Sequence, residues 1–120
     1  MSPYTTRTSM QDNLPNDSDG DALRRLVADG SDLSQPMEID FAVLVPDRDI
    51  GMAFAGVAAK EGFRTDICFD DESRRWTCYC TRTMVPSYDA MIAVQNTLED
   101  LGRPYAAKPD GWGSFGNAPE

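Results

Sequence analysis

Apolar and polar residues alternate in several segments of this chain, and the alternation predicts strands. The clearest case is residues 38–45 (EIDFAVLV), where the odd-numbered apolar side chains fall on one face and Asp40, Ala42 and Leu44 on the other. A two-residue period is typical of a strand with one buried face. Pro46 then ends the strand, because proline cannot donate a ladder hydrogen bond.

Two further alternating segments, 63–70 and 75–83, predict a hairpin with its turn centred on Glu72 and Ser73. The cross-strand pairs that this register predicts are Asp70 with Arg75, Phe69 with Trp76, Ile67 with Cys78, and Thr65 with Cys80. The residues expected on the core face are Phe63, Ile67, Phe69, Trp76, Cys78 and Cys80. Asp66, Cys68 and Tyr79 are expected on the outer face.

A period of three to four residues predicts three helices. The first runs from Asp19 to Gly30, the second from its cap Asp47 to Gly62, and the third from its cap Ser87 to Gly102. The apolar stripe predicted for the second helix is Ile50, Ala53, Phe54, Val57 and Ala58. Gly51 and Gly56 lie inside this helix, where glycine is less favourable than alanine. They indicate either a tolerated loss of helix stability or close packing of the helix on the sheet.

With a last strand at 105–108, the predicted order is helix, strand, helix, strand, strand, helix, strand. The βαββαβ order is the ferredoxin-like arrangement, an α+β fold with an antiparallel sheet and two helices on one face. The short first helix is an addition to it. We therefore expect a ferredoxin-like domain over residues 19–116. Residues 1–18, which are polar and without either period, are predicted to be a disordered tail, and 117–120 a C-terminal tail.

The charge of the chain argues against direct binding of nucleic acid. It has 11 Lys and Arg, 20 Asp and Glu, and no His, for a net charge of −9. Nucleic-acid binders gain most of their affinity from basic side chains that neutralise phosphates. The longest apolar run, 41–45, is far shorter than the roughly 18 residues that a membrane span needs. We expect a cytoplasmic protein with no membrane contact.

The residues that carry chemistry are few, so we expect neither an enzyme nor a cofactor-binding protein. The absence of His excludes a Ser-His-Asp or Cys-His nucleophile and any His metal ligand. Cys78 and Cys80 fall on one strand face and Cys68 on the other, so the three thiols are not expected to share a metal ion. The chain has no Gly-rich phosphate-binding motif.

The outer sheet face and the hairpin turn are the candidate surface for a protein partner or a homodimer. An acidic surface of this kind is suited to a basic partner. The candidate contact residues are Asp40, Asp66, Asp70, Asp71, Glu72 and Tyr79. An alternative is a small-molecule-sensing domain, often dimeric, with Tyr79 or Tyr88 as a hydrogen-bond donor in its pocket.

Five segments together resemble one known family over residues 19–116. They are ALRRLVADGSDLSQP (22–36), EIDFAVLVPD (38–47), GF (62–63), TRTMVPSYDAM (81–91) and DGWG (110–113). Their order and spacing are similar to those of the regulator of ribonuclease activity B family, which are bacterial inhibitors of ribonuclease E. The resemblance implies an acidic, non-catalytic, ferredoxin-like protein that binds ribonuclease E and alters which transcripts it cuts.

The DGWG segment contains the last candidate residue, Trp112. Gly111 and Gly113 are expected to form a turn with positive φ, with Trp112 filling the core beside the last strand. The alternative is that Trp112 contacts the partner, since tryptophan is common among residues that dominate binding energy.

Overall fold

Three helices and one four-stranded sheet are formed by residues 14–118, which are the part of the chain that this computed structural model describes. The helices are α1 (Ser18–Ala28), α2 (Arg48–Lys60) and α3 (Tyr88–Gly102), and α3 continues into a 3₁₀ turn at Arg103–Tyr105. The strands are β1 (Met37–Val45), β2 (Arg64–Asp70), β3 (Arg75–Met84) and β4 (Lys108–Gly113). Every neighbouring pair of strands is antiparallel, in the order β2-β3-β1-β4.

The α+β class is confirmed, and the order of elements needs one qualification. From β1 onward, the helices and strands follow one another as the sequence predicts. Because α1 precedes β1 and the 3₁₀ turn lies between α3 and β4, the order over residues 14–118 is not strictly βαββαβ.

The core lies on one side of the sheet. The odd-numbered residues of β1 are buried, and the even-numbered residues from Asp40 to Leu44 are half-buried. All three helices contribute buried side chains to the same cluster as β1, including Leu23 from α1, Phe54 from α2, and Met91 and Leu98 from α3. Within the described residues, the helices therefore cover one sheet face and leave the other open.

The hairpin of β2 and β3 has the predicted register, from Thr65 opposite Cys80 to Asp70 opposite Arg75. Cys78 and Cys80 are fully buried, as predicted. Phe69 lies on the core face, as predicted, but it is 38% exposed there. Phe69 is near the end of the hairpin, where its ring packs on Trp76 instead of under a helix. A two-residue period shows on which face of the sheet a residue lies, but not whether a helix covers that part of the face.

The buried stripe of α2 is rotated from the predicted one. Ile50 and Ala53 are exposed, while Gly51 and Ala55 are buried beside Phe54. A Cβ at Gly51 would lie 2.8 Å from Cγ2 of Val45, so the glycine permits close packing of the helix on β1. Rotation of the stripe toward Gly51 is the physical reason that Ile50 faces solvent.

The last strand is displaced from its predicted position at 105–108. Residues 103–105 form the 3₁₀ turn, Ala106 is left-handed with φ 53°, and β4 begins only at Lys108. DGWG thus lies within β4 and not after it. The predicted positive φ is present at Gly111 (φ 94°), where β4 contains an extra residue relative to β1. Such a bulge favours glycine. Gly113 has no positive φ and pairs with Asp40.

Both ends of the described segment are tied to the fold. Leu14 packs against the core, and Asp17 caps α1, so residues 14–18 differ from the tail predicted for 1–18. Residues 1–13 and 119–120 lie outside the described residues. At the other end, the Asn117 side chain accepts from the Asp32 amide at 2.7 Å and donates to the Asp32 carbonyl at 2.9 Å. Asn117 therefore joins the folded part and not the predicted tail at 117–120.

Candidate functional site

The open sheet face brings Asp40, Asp66 and Tyr79 together on adjacent strands. Tyr79 of β3 lies directly opposite Asp66 of β2 and Ala42 of β1, and Asp40 lies two pairs further along β1, on the same face. Residues opposite each other in a sheet share a face, so these three side chains form one surface. Tyr79 lies at the centre of this surface and is 39% exposed.

Hydrogen bonds hold two of the acidic side chains of this face. Oδ1 of Asp40 accepts from the Thr81 hydroxyl at 2.6 Å, across the β1–β3 pair. The Cys68 thiol contacts Oδ2 of Asp66 at 3.4 Å. Partial burial, together with the hydrogen bond to Asp66 and its negative charge, raises the pKa of the Cys68 thiol. Cys68 is therefore an uncharged group within the acidic face, and its low thiolate content makes it a poor nucleophile.

The turn of the hairpin carries Asp70, Asp71 and Glu72 at one end of the open face. The Asp70 carboxylate accepts from the amides of Glu72 at 3.3 Å and Ser73 at 3.4 Å. Hydrogen bonds from Ser73 and from the Glu72 amide lower the pKa of Asp70. Asp70 thus has a structural function in the turn, whereas Asp71 and Glu72 are exposed and free to contact a partner.

The open face and the turn together have an excess of acidic groups. The acidic residues are Glu38, Asp40, Asp66, Asp70, Asp71, Glu72 and Asp110, and the basic residues are Arg64, Arg74, Arg75 and Lys108. These seven acids and four bases give a net charge of −3. Arg64 is paired with Glu38 at 3.2 Å, which leaves the region around Asp66 and the turn as the more negative part.

An open depression of about 530 Å³ lies in this face, between the middle of the sheet and the turn. Leu44, Cys68 and Tyr79 contribute to its lining, and charged side chains including Asp70 and Asp110 surround them. A half-buried apolar centre with a charged periphery is the common composition of a protein-binding surface.

Trp112 lies on the other side of the sheet, opposite Phe41 of β1. Its Nε1 donates to Oδ1 of Asp19 at 2.8 Å, and Gln95 of α3 donates to the same oxygen at 3.3 Å. The ring is half-buried against the core. This geometry places Trp112 away from the acidic face, in a contact that fastens β4 and α3 to α1.

Asp17 and Tyr88 form a second link between α1 and α3, which no pattern in the sequence indicates. The Tyr88 hydroxyl donates to Oδ2 of Asp17 at 2.5 Å, while Oδ1 of Asp17 caps α1 by accepting from the Gly20 amide at 2.8 Å. The hydrogen bond to Asp17 raises the pKa of Tyr88 to about 12. The Tyr88 hydroxyl is therefore engaged in the fold, which argues against its predicted role as a donor to a small molecule.

Stability in acid is expected to depend on Asp17. Hydrogen bonds from Tyr88 and Gly20 lower the pKa of Asp17 below its ordinary value of 3.8. A lowered folded-state pKa stabilises the fold above pH 3.8, and the contribution is lost as the pH falls through the folded-state value. The Asp17→Asn variant should therefore lose less of its free energy of unfolding than the wild type between neutral pH and pH 3.

Urea unfolding at a series of pH values measures this difference. Asp49→Asn, which removes a carboxylate that is 95% exposed in the first turn of α2, is the control. Parallel pH profiles for the wild type and Asp17→Asn would show that the Asp17 contact has no energetic role.

Other sites that could carry chemistry have structural explanations. The Sγ atoms of Cys78 and Cys80 are 3.9 Å apart in the core, where their mutual hydrogen bond and burial raise the pKa of Cys80. In residues 14–118 no group of three or more Cys, Asp or Glu side chains has the geometry to hold a metal ion. No helix in the same part of the chain has the length and apolar character needed to cross a membrane.

Comparison with known proteins relates this geometry to one family. The family model for regulator of ribonuclease activity B matches residues 16–114, which include every helix and strand described above. No curated protein gives a significant match to the chain.

Proposed function

Since the chain belongs to the regulator of ribonuclease activity B family, we propose that it binds ribonuclease E and inhibits RNA cleavage by direct protein contact. The family match is the observation that carries this proposal, because it spans 99 of the 120 residues. The family name states only that a ribonuclease activity is regulated, so the choice of ribonuclease E as the partner is itself proposed.

We further assign β1–β4 with α2 and α3 to the ferredoxin-like class, with α1 as an N-terminal addition. Three observations support this assignment: the succession of these six elements, the antiparallel order β2-β3-β1-β4, and the location of the helices on one side. The assignment leaves the open sheet face as the natural contact surface, because the other face is occupied by helices.

The proposed contact surface consists of Asp40, Asp66, Asp71, Glu72 and Tyr79. Its acidic groups attract a basic region of the ribonuclease, and in an RNA-processing enzyme such regions include those that hold RNA. Binding there increases the association rate and makes the protein compete with RNA for the same positive charges. The protein acts in this mechanism without a cofactor or a catalytic group, and it acts in the cytoplasm, where ribonuclease E meets its transcripts.

Neutralising the acidic groups tests the surface. The triple variant Asp66→Asn, Asp71→Asn, Glu72→Gln removes three negative charges and retains Asp70, which holds the turn. We expect about tenfold weaker binding to ribonuclease E, with slower association and a smaller dependence on salt, since exposed charges act mainly on association. Surface plasmon resonance at several salt concentrations separates association from dissociation.

A matched control removes the same charge from the helical side of the molecule. Asp29→Asn, Asp49→Asn and Glu61→Gln are exposed positions in or beside α1 and α2. The control should bind like the wild type. Equal binding by both triple variants would show that the acidic face is the wrong surface, and no binding by the wild type would remove ribonuclease E as the partner.

A further inference from the structure

The two edge strands of the sheet differ in how well they are protected from pairing with another strand. β4 contains Pro109, which has no amide hydrogen to donate, and the bulge at Gly111 interrupts its regular shape. Natural proteins block sheet edges with such features. β4 is therefore a poor template for an added strand.

β2, at the other edge, has none of these features. Its seven residues, Arg64–Asp70, contain no Pro, Gly or Lys, and they pair with β3 without a shift in register. One side of β2 bonds to β3, and among the described residues no strand lies on its other side. A regular edge of this length offers a row of backbone donors and acceptors to a second strand.

The sequence of β2, RTDICFD, is complementary to itself in an antiparallel pair. With a twofold axis at Ile67, Arg64 lies opposite the partner subunit's Asp70, and Asp70 lies opposite the partner subunit's Arg64. The same register places Thr65 opposite the partner subunit's Phe69 and Asp66 opposite the partner subunit's Cys68. Two opposite-charge pairs form when Arg64 exchanges its exposed contact with Glu38 for the partner subunit's Asp70, and the pairing brings no two like charges directly opposite each other.

We propose that two copies of this chain associate through β2 and form a continuous eight-stranded sheet. A second copy of β2 fits this edge for three reasons. It brings opposite charges into pairs, it places Ile67 opposite the partner subunit's Ile67, and it satisfies the free backbone groups. A twofold axis perpendicular to the sheet keeps the two helical layers on one side and the two open faces on the other. The dimer leaves Tyr79 uncovered and presents two acidic faces side by side.

This arrangement differs from a dimer formed through the open face, which would cover Tyr79 and its acidic neighbours. It concerns the protein alone and does not depend on the partner named above. The negative charge of each chain opposes association, and salt screens that repulsion. The two Arg64–Asp70 pairs supply local attraction across the edge itself.

Substitutions at position 68 test this dimer, because a positive and a negative side chain there should change its affinity in opposite directions. Cys68→Lys places an ammonium group opposite the partner subunit's Asp66, and Cys68→Glu places a second carboxylate there. Each substitution occurs twice in the dimer, so we expect changes of about 2- to 30-fold in the dimer dissociation constant, tighter for lysine and weaker for glutamate. Sedimentation velocity over a wide concentration range measures these constants.

Asn96 provides the control because it is exposed on α3, the helix nearest β4. Asn96→Lys and Asn96→Glu change the net charge by the same amounts and should leave the dimer nearly unchanged. A wild-type chain that stays monomeric at every concentration overturns the proposal, as does a dimer that responds equally at the two positions. Tighter association of Cys68→Lys cannot arise from misfolding, so the test remains valid if the glutamate variant is unstable.

Discussion

Substituting alanine for Gly20 is expected to lower the free energy of unfolding by about 2–4 kcal/mol, since overpacking is added to the loss of a helix cap. A Cβ at this buried position would overlap the carbonyl oxygen of Pro15, and the Asp17 side chain that caps α1 lies 3.3 Å away. Because the obstacle is backbone, relief requires that the 15–17 segment move and that Asp17 release the Gly20 amide and Tyr88. Urea unfolding measures the change.

Gly56→Ala is the matched control for this prediction. Gly56 is exposed inside α2, and a Cβ there would meet nothing within 4 Å. Alanine should therefore stabilise the protein by about 0.5–1 kcal/mol through its higher helix propensity. If Gly20→Ala were as stable as the wild type, the 15–17 segment would be able to move away from α1 at no energetic cost.

Removing the Tyr79 ring is expected to weaken binding to ribonuclease E by about 30-fold or more, the effect typical of a central aromatic contact. Tyr79 lies in the middle of the open face, beside Leu44, with acidic groups around it. Because it packs outside the core, Tyr79→Ala should retain the fold while losing the apolar contact. Isothermal titration calorimetry measures the affinity, and circular dichroism checks the fold.

Tyr79→Phe separates the ring from its hydroxyl and should retain most of the affinity. Met52→Ala is a control for apolar truncation elsewhere, since Met52 is 52% exposed on α2, outside the open face. Equal affinities for Tyr79→Ala and Met52→Ala would mean that the centre of the face does not contact the partner.

Local patterns in the sequence were sufficient to predict β1, β2 and β3 and the open face that they form. The two-residue period placed Tyr79, Asp66 and Asp40 on one side, and the hairpin register followed from the position of the turn. The helix caps Asp47 and Ser87 were also identified from residue type, because such side chains satisfy free amides at helix starts.

Features that depend on distant contacts were not predictable in the same way. The exposure of Phe69 and the rotation of α2 depend on where the helices lie over the sheet. The shift of β4 depends on Ala106, a left-handed residue that is not glycine and so gives no local signal. The Asp17–Tyr88 contact joins residues 71 positions apart, and no period in the sequence indicates it.

The most direct measurement of the central proposal is the rate of RNA cleavage by purified ribonuclease E at increasing concentrations of this protein. We expect inhibition by the wild type, clearly weaker inhibition by the Asp66, Asp71 and Glu72 triple variant, and unchanged inhibition by the Asp29, Asp49 and Glu61 control. A wild-type protein that does not slow cleavage, or two triple variants that inhibit equally, would contradict the proposal.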